Sequence, residues 1–282
     1  MIPGLFQKLY QVLNQAVFPP KCLVCRTFFQ APGHDAEIGS RPAGSTAPAE
    51  LPAMQSRLGR QLSRYLCPAC IRGLVVVESP FCVCCGLPHK SRQGDDHLCS
   101  DCMDSPKKFR IARAALVYEP IMTGIIHRFK YQGKIQLADP LAELLWTAFR
   151  RFWEQDSIDM IIPVPLHLKR LRKRGFNQAY LLVRNMNTAP GQNGSGLPNL
   201  QIERDVLVRT VFTKPQSALG REERAFNIKN AFTLSDSDKI IGKRILLIDD
   251  VYTTGATVDE CARILTKYGA EHVDVLTLAR AV

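Results

Sequence analysis

The sequence predicts an α/β protein, with a mainly parallel sheet flanked by helices and a small cysteine-built domain ahead of it. Three observations carry this prediction. Ile245–Ile248 and Met160–Leu166 are apolar without alternation, the pattern of strands buried on both faces. Val258, Cys261, Ala262, Leu265 and Tyr268 then recur at helical spacing directly after the first of these runs. Nine of the 10 cysteines precede residue 103, which sets the front of the chain apart.

At 282 residues the chain has room for about two domains, and 46% hydrophobic residues are enough for a packed core. The formal net charge is +11 and the pI about 9.3, which favours a polyanionic ligand or partner: a phosphosugar, a diphosphate or a nucleic acid. No apolar run approaches the roughly 20 residues of a spanning helix, so no transmembrane segment is expected. Within 1–20, Leu5, Leu9, Val12, Leu13, Ala16 and Val17 share one helical face. No charged segment leading into a solid apolar core is present, so this reads as an amphipathic helix packed on the next domain rather than a secretory signal. The expected location is the cytoplasm.

The cysteines fall into four pairs, Cys22 with Cys25, Cys67 with Cys70, Cys82 with Cys85, and Cys99 with Cys102, each with a two-residue gap. Such turns place two sulfurs on one ion, and two turns complete a tetrahedral site. Pairing by sequence predicts one site from Cys22, Cys25, Cys67 and Cys70 and a second from Cys82, Cys85, Cys99 and Cys102, both closed and therefore structural, with zinc as the ion. An iron–sulfur cluster also takes four thiolates, and spacing alone leaves it open. Disulfides require an oxidising compartment that no export signal supports. Cys84 is left over as an alternative to Cys85, and Cys261 reads as a small buried hydrophobe. The Pro, Gly, Ala and Ser-rich stretch 31–57 reads as a flexible insertion in a domain spanning 21–105.

The second domain is expected over 106–282. Phe109–Tyr118 reads as its first strand, followed by helices over Met122–Lys134 and Leu137–Trp153. His127, Arg128, Lys130 and Lys134 are balanced between a solvated helix face and an anion contact. Met160–Leu166 is a buried strand whose prolines mark its end. Lys169, Arg170, Arg172, Lys173 and Arg174 follow at once, five cations in six positions, then Gly175, Phe176, Asn177 and Gln178. This basic loop reads as a site for a diphosphate or a nucleic-acid backbone, with a solvated basic turn as the plain alternative. The polar segment from Arg209 to Phe232 reads as a lid over the site or as an ordinary connection.

Asp249 and Asp250 end the next strand, and Thr253, Thr254, Gly255, Ala256 and Thr257 lead into the following helix, with Gly269 suited to end it. Carboxylates at a strand's C-terminal end can accept from a diol or face Mg²⁺ through water. Unpaired amides at a helix start favour a phosphate, which Gly255 lets approach. The plain alternative is an acidic strand end with threonine caps. His272–Leu278 closes the sheet.

The stretch from Asp249 to Thr257 resembles the phosphoribosyl-diphosphate (PRPP) motif of type I phosphoribosyltransferases, with Ala256 where many members carry Ser or Thr. The cysteine pairs, Pro163-Val164-Pro165-Leu166, Arg174 to Gln178, Gln216 with Arg221, Arg224 and Asn227, and the acid pair with its threonine loop resemble, in that order, the bacterial ComF family. The resemblance implies a type I phosphoribosyltransferase fold behind a double zinc ribbon holding two structural ions. It implies that Asp249 and Asp250 are catalytic carboxylates on the ribose hydroxyls, with PRPP and Mg²⁺ as ligands. It further implies that the threonine loop takes the 5′-phosphate, that the Lys169–Gly175 stretch takes the diphosphate, and that Gln216, Arg221 and Arg224 lie on a flexible loop. ComF-like proteins are associated with competence and DNA uptake, which makes single-stranded DNA and the uptake machinery expected partners. An accessory protein that binds single-stranded DNA through the basic stretch and Phe176, without turnover, is the competing expectation.

Overall fold

The computed structural model describes residues 19–30, 59–91, 93–154, 156–185, 200–212 and 228–282. The expected helix over 1–18, the insertion at 31–57 and the loop residues Gln216, Arg221 and Arg224 lie outside the described residues.

The front of the chain repeats one local scheme twice. In the first unit the backbone turns at Cys22, where the Cys22 N–H donates to the Thr27 carbonyl at 2.9 Å, and helix α1 (Pro68–Arg72) begins immediately after Cys67. In the second, the Cys82 N–H donates to the Leu87 carbonyl at 2.8 Å, and helix α2 (Ser100–Asp104) begins immediately after Cys99. Each unit thus contributes one cysteine pair from a tight turn and one from the start of a short helix. Gly86, at φ +65°, lets the second turn sit against the sheet, since a Cβ there would lie 2.6 Å from the Ala112 carbonyl oxygen.

The remainder forms strand β1 (Ala112–Val117), helix α3 (Pro120–Tyr131), a 3₁₀ turn (Ile135–Leu137), helix α4 (Ala138–Phe152), strand β2 (Met160–Pro163), helix α5 (Leu168–Arg174) and helix α6 (Gln178–Val183). Short strands β3 (Gln201–Ile202), β4 (Leu207–Arg209) and β5 (Phe232–Leu234) follow. Strand β6 (Arg244–Tyr252), helix α7 (Ala256–Lys267) and strand β7 (His272–Arg280) complete it. Five strands pair in the order β1-β7-β6-β2-β3, all parallel, and β4 pairs with β5 antiparallel beside them.

Strand alternation explains the unbroken apolar runs. Leu246, Ile248, Leu276 and Leu278 pack with α3, α4 and α6 on one face, whereas Ile245, Leu247, Val273 and Val275 pack with α7, β4 and β5 on the other. Helix α7 ends as expected at Gly269, whose φ of +99° lets its N–H reach the Thr266 carbonyl while the Ala270 N–H reaches that of Leu265, both at 3.1 Å. Among the described residues no helix is long and apolar enough to cross a membrane.

One expectation needs correction. The basic stretch expected as a loop is helix α5, because its Leu, Lys and Arg residues all favour helix, His167 Nδ1 accepts from the Lys169 N–H at 3.1 Å, and Gly175 at φ +85° stops it. Phe176, expected as a stacking platform, is half-buried and packs against the core, 5.8 Å from the Phe129 ring.

Candidate functional site

The sheet order places the crevice. From β6 the chain continues to β7 on one side, and from β2 it continues to β3 on the other, so the strand order reverses between β2 and β6. Open parallel sheets bind ligands beyond the carboxyl ends of the strands at such a point. Pairing of β2 with β6 ends at Pro163 opposite Ile248, while β6 runs on beside β7 as far as Tyr252 opposite Arg280. Asp249 to Tyr252 therefore project past β2, with one strand edge open.

Alternation along β6 sends the two carboxylates to opposite faces. Asp250 turns toward α3 and α6 and is 3% exposed. Its Oδ2 meets the Lys130 ammonium, and its Oδ1 accepts from Gln178 Nε2 at 3.3 Å. Burial works against the ionised form of Asp250, but Lys130 and the hydrogen bonds outweigh it and hold its carboxyl below the usual range. Lys130 is held above the usual ammonium range by the same partner, against its own burial. Its place on α3 is therefore not a solvated face, and sequence periodicity had no means of pairing it with a residue on β6. Asp249 is half-buried on the other face, where its Oδ1 accepts from the Asp250 N–H at 2.8 Å. Burial and the adjacent Asp250 charge push Asp249 well above the usual carboxylate range. Cys261 is fully buried on this face, as expected, and burial followed by the Asp249 charge pushes its thiol up. Arg209, also buried, is lowered to about 10 by burial and then by the Arg170 charge.

The turn from Thr253 to Ala256 leads into α7, whose first amides point out of the helix start. Gly255 adopts φ +79°, and a Cβ there would run into the Tyr252 ring, 2.9 Å from its Cε1. Glycine is thus required by the protein's own packing in addition to any ligand. The Thr254 hydroxyl accepts from the Ala256 N–H at 3.4 Å.

Helix α5 divides the five cations. Lys169, Arg172 and Lys173 are exposed, while Arg170 and Arg174, one turn apart, face the protein. Arg174 donates to Gln178 Oε1 and lies 5.0 Å over the Tyr131 ring, so an Arg174–Gln178–Asp250–Lys130 chain crosses the crevice floor. Asn177 caps α6 by accepting from the Ala179 N–H at 3.0 Å and donates to the Val164 carbonyl at 3.1 Å, which ties this turn to the end of β2. Phe212, 50% exposed, lies 5.2 Å from the His167 ring, with Lys169 5.3 Å and Arg170 5.9 Å from its centroid.

The cysteines form two groups, Cys22, Cys25, Cys67 and Cys70, and Cys82, Cys85, Cys99 and Cys102, with all ligand atoms of a group within 4.8 Å of one another. Cys25 and Cys67 sulfurs are 3.6 Å apart, and Cys85 and Cys99 sulfurs 3.7 Å. Tetrahedral Zn–S bonds of about 2.3 Å give sulfur–sulfur edges of about 3.8 Å, so the donor set fits a single tetrahedral ion. All ten cysteines are free thiols. The Cys85 and Cys99 amides donate to Cys82 Sγ at 3.4 Å and, against burial, lower that thiol to about 7. Cys84 stays outside the group, and its carbonyl accepts from the Ala112 N–H at 2.7 Å.

A family model described as a phosphoribosyl transferase domain matches residues 192–281. Competence protein F of Haemophilus influenzae is 33% identical over 221 residues, covering 77% of this chain and 90% of the relative. DNA utilization protein YhgH of Escherichia coli K12 is 31% identical over 221 residues, covering 77% and 91%. Competence protein ComFC of Bacillus subtilis is 28% identical over 223 residues, covering 77% and 84%. With a parallel sheet that reverses order at its acid pair, a phosphoribosyltransferase match over the carboxyl-terminal third and relatives aligned along most of their length, the chain belongs to the competence protein F (ComF) family.

Proposed function

We propose that the crevice between β2 and β6 binds a phosphoribosyl ligand, PRPP with Mg²⁺, and that the chain is a type I phosphoribosyltransferase. The observation that supports this most is the projection of Asp249, Asp250 and the Thr253–Thr257 turn past the end of β2, at the point where the sheet order reverses. Asp249 is the carboxylate that accepts from the ribose hydroxyls. Asp250 is already satisfied by Lys130 and Gln178. In this reading Lys130 exchanges Asp250 for the anionic ligand as it enters, which frees an Asp250 oxygen for the sugar. The amides from Thr253 to Thr257 take the 5′-phosphate. Arg170, on the inner side of α5, faces the leaving diphosphate, with Lys169, Arg172, Lys173 and Gly175 at its outer rim.

Mg²⁺, when bound, supplies charge neutralisation for the diphosphate. In transfer, the bond from ribose C1 to the diphosphate oxygen breaks, the diphosphate leaves with the electron pair, and an acceptor's lone pair bonds to C1. The protein contributes by positioning and by fixed charge. The clusters hold structural zinc.

Titration calorimetry with PRPP and Mg²⁺ tests the ligand. Micromolar to millimolar binding is expected in the parent and none in Asp249→Asn with Asp250→Asn. Unchanged affinity in the double variant removes the pocket assignment.

A second reading is supported by the exposed Phe212 ring among His167, Lys169 and Arg170, with Tyr131 against Arg174. Aromatic faces flanked by cations suit single-stranded nucleic acid. Relatives named competence and DNA utilization proteins fit a place beside the DNA-uptake machinery in the cytoplasm.

A further inference from the structure

Arg280, at the end of β7, is 7% exposed and spans two parts of the molecule. Its Nε donates to the Cys85 carbonyl at 3.2 Å, and its Nη2 lies 3.7 Å from Cys85 Sγ. Its Nη1 donates to the carbonyls of Thr253 at 2.8 Å, Ala281 at 2.6 Å and Tyr252 at 3.4 Å. The guanidinium carbon lies 4.2 Å over the Tyr252 ring. That ring meets Phe109, from the segment joining the cysteine units to the sheet, edge-on at 6.2 Å, and Tyr252 is the residue that a Cβ on Gly255 would strike. One planar fork therefore holds a cysteine of the second cluster on one side and the entry to the threonine turn on the other.

Burying a guanidinium among carbonyls is costly unless a negative charge lies near. Four thiolates around a divalent ion carry a formal net charge of about −2, at the sulfur that Arg280 touches. We propose that Arg280 is a positioning residue through which metal occupancy of the Cys82, Cys85, Cys99 and Cys102 cluster keeps the Tyr252–Gly255 turn ordered. The cluster is then a support of the crevice as well as of its own unit. Among the described residues the first cluster has no such route: its Val24 sits against Gly124 and Arg128 of α3, on the opposite side of the sheet from α7. That the turn receives a phosphate rests on the function proposed above; that its order depends on the second cluster does not.

Hydrogen–deuterium exchange of the full chain tests this, read on peptides covering 252–258 with helix α4 as internal reference. Cys99→Ser with Cys102→Ser removes the second ion, and Cys67→Ser with Cys70→Ser removes the first. Exchange at 252–258 is expected to quicken about tenfold or more on loss of the second ion, and to stay near the parent on loss of the first. Arg280→Gln should reproduce the effect with metal content unchanged, and Arg280→Lys, which keeps the charge but not the fork, should do so in part. Arg280→Gln added to the second-cluster variant should add nothing further, because both act through one link. Parent-like exchange at 252–258 in metal-loaded Arg280→Gln, fully additive effects, or equal acceleration in α4 would each overturn the proposal. If the exchange results hold but the parent fails to bind PRPP, the phosphate reading alone falls.

Discussion

The Lys130 ammonium on α3 and the Asp250 carboxylate on β6 form a mostly buried ion pair at the floor of the crevice, with side-chain exposures of 20% and 4%. The pair connects the helix on which the first cysteine unit rests with the strand that carries the acid pair. It also makes the two adjacent carboxylates chemically unlike, since among the described residues only Asp250 has its own cation.

Removing one partner of such a pair leaves a charge without compensation. Lys130→Met should lower stability by about 3 kcal/mol in urea unfolding, and Lys130→Met with Asp250→Asn should recover most of the loss. A single-variant change below about half a kcal/mol would mean the pair contributes little to the fold.

The two acids should respond oppositely to amidation. Asp250 is held below its usual value, so its contribution is present above about 3.8 and is lost as pH falls through its folded value. Asp249 is held above, so its contribution is present below about 3.8 and is lost as pH rises through its folded value. At pH 7, Asp250→Asn should therefore lower Tm and Asp249→Asn should raise it, with the Asp249→Asn gain vanishing in acid. The same sign of change for both would contradict the asymmetry. A gain in stability from Asp249→Asn with loss of ligand binding would mark a residue retained for function at a cost to the fold.

Gly255→Ala forces a Cβ into the left-handed region and into the Tyr252 ring. The conformation alone costs about 1–2 kcal/mol. Chemical denaturation should show at least that loss, together with weaker phosphate binding by calorimetry. A variant with parent-like stability would show that the turn can re-form elsewhere.

Metal analysis of the purified chain should find about two zinc ions, matching two closed four-sulfur sites. Chelation should lower Tm, since metal binding is linked to the folding of its unit. Iron with sulfide in place of zinc, or a single ion, would contradict the assignment.

For nucleic acid, the division of α5 is the useful point. Lys169→Ala, Arg172→Ala and Lys173→Ala together should weaken single-strand binding and reduce the slope of log K against log salt by about 2, at roughly 0.7 per phosphate contact. Arg174 is omitted because it is committed to Gln178 and Tyr131. An unchanged slope would remove α5 from any DNA surface.

Much of this architecture was legible as pattern. The apolar runs of β2 and β6, the helical spacing of α7 and its stop at Gly269 all depend on neighbours a few residues away. The two cysteine quartets are legible for the same reason, because a two-residue gap places both sulfurs of a pair on one turn. The helix at Leu168–Arg174 was missed because its charges spoke louder than its propensity: a cap at His167 and a stop at Gly175 were present in plain view. The packing of Phe176 against Phe129 was not legible, because an aromatic beside cations looks the same in sequence whether it is open or half-buried.

By itself, the amino-acid sequence determined which residues are candidates for chemistry: the acid pair, the threonine turn, the basic run and the eight thiols that the fold gathers into two groups. Only the tertiary structure decided what each one faces. Alternation puts Asp249 and Asp250 on opposite faces, but that Asp250 meets Lys130 and Gln178 depends on which helices the chain's crossovers lay on that face. Arg280 looks like an ordinary last residue of a strand until the second cysteine unit folds back onto it. Such pairings join residues far apart in the chain, and short-range periodicity holds no record of contacts that form only when separate elements pack together.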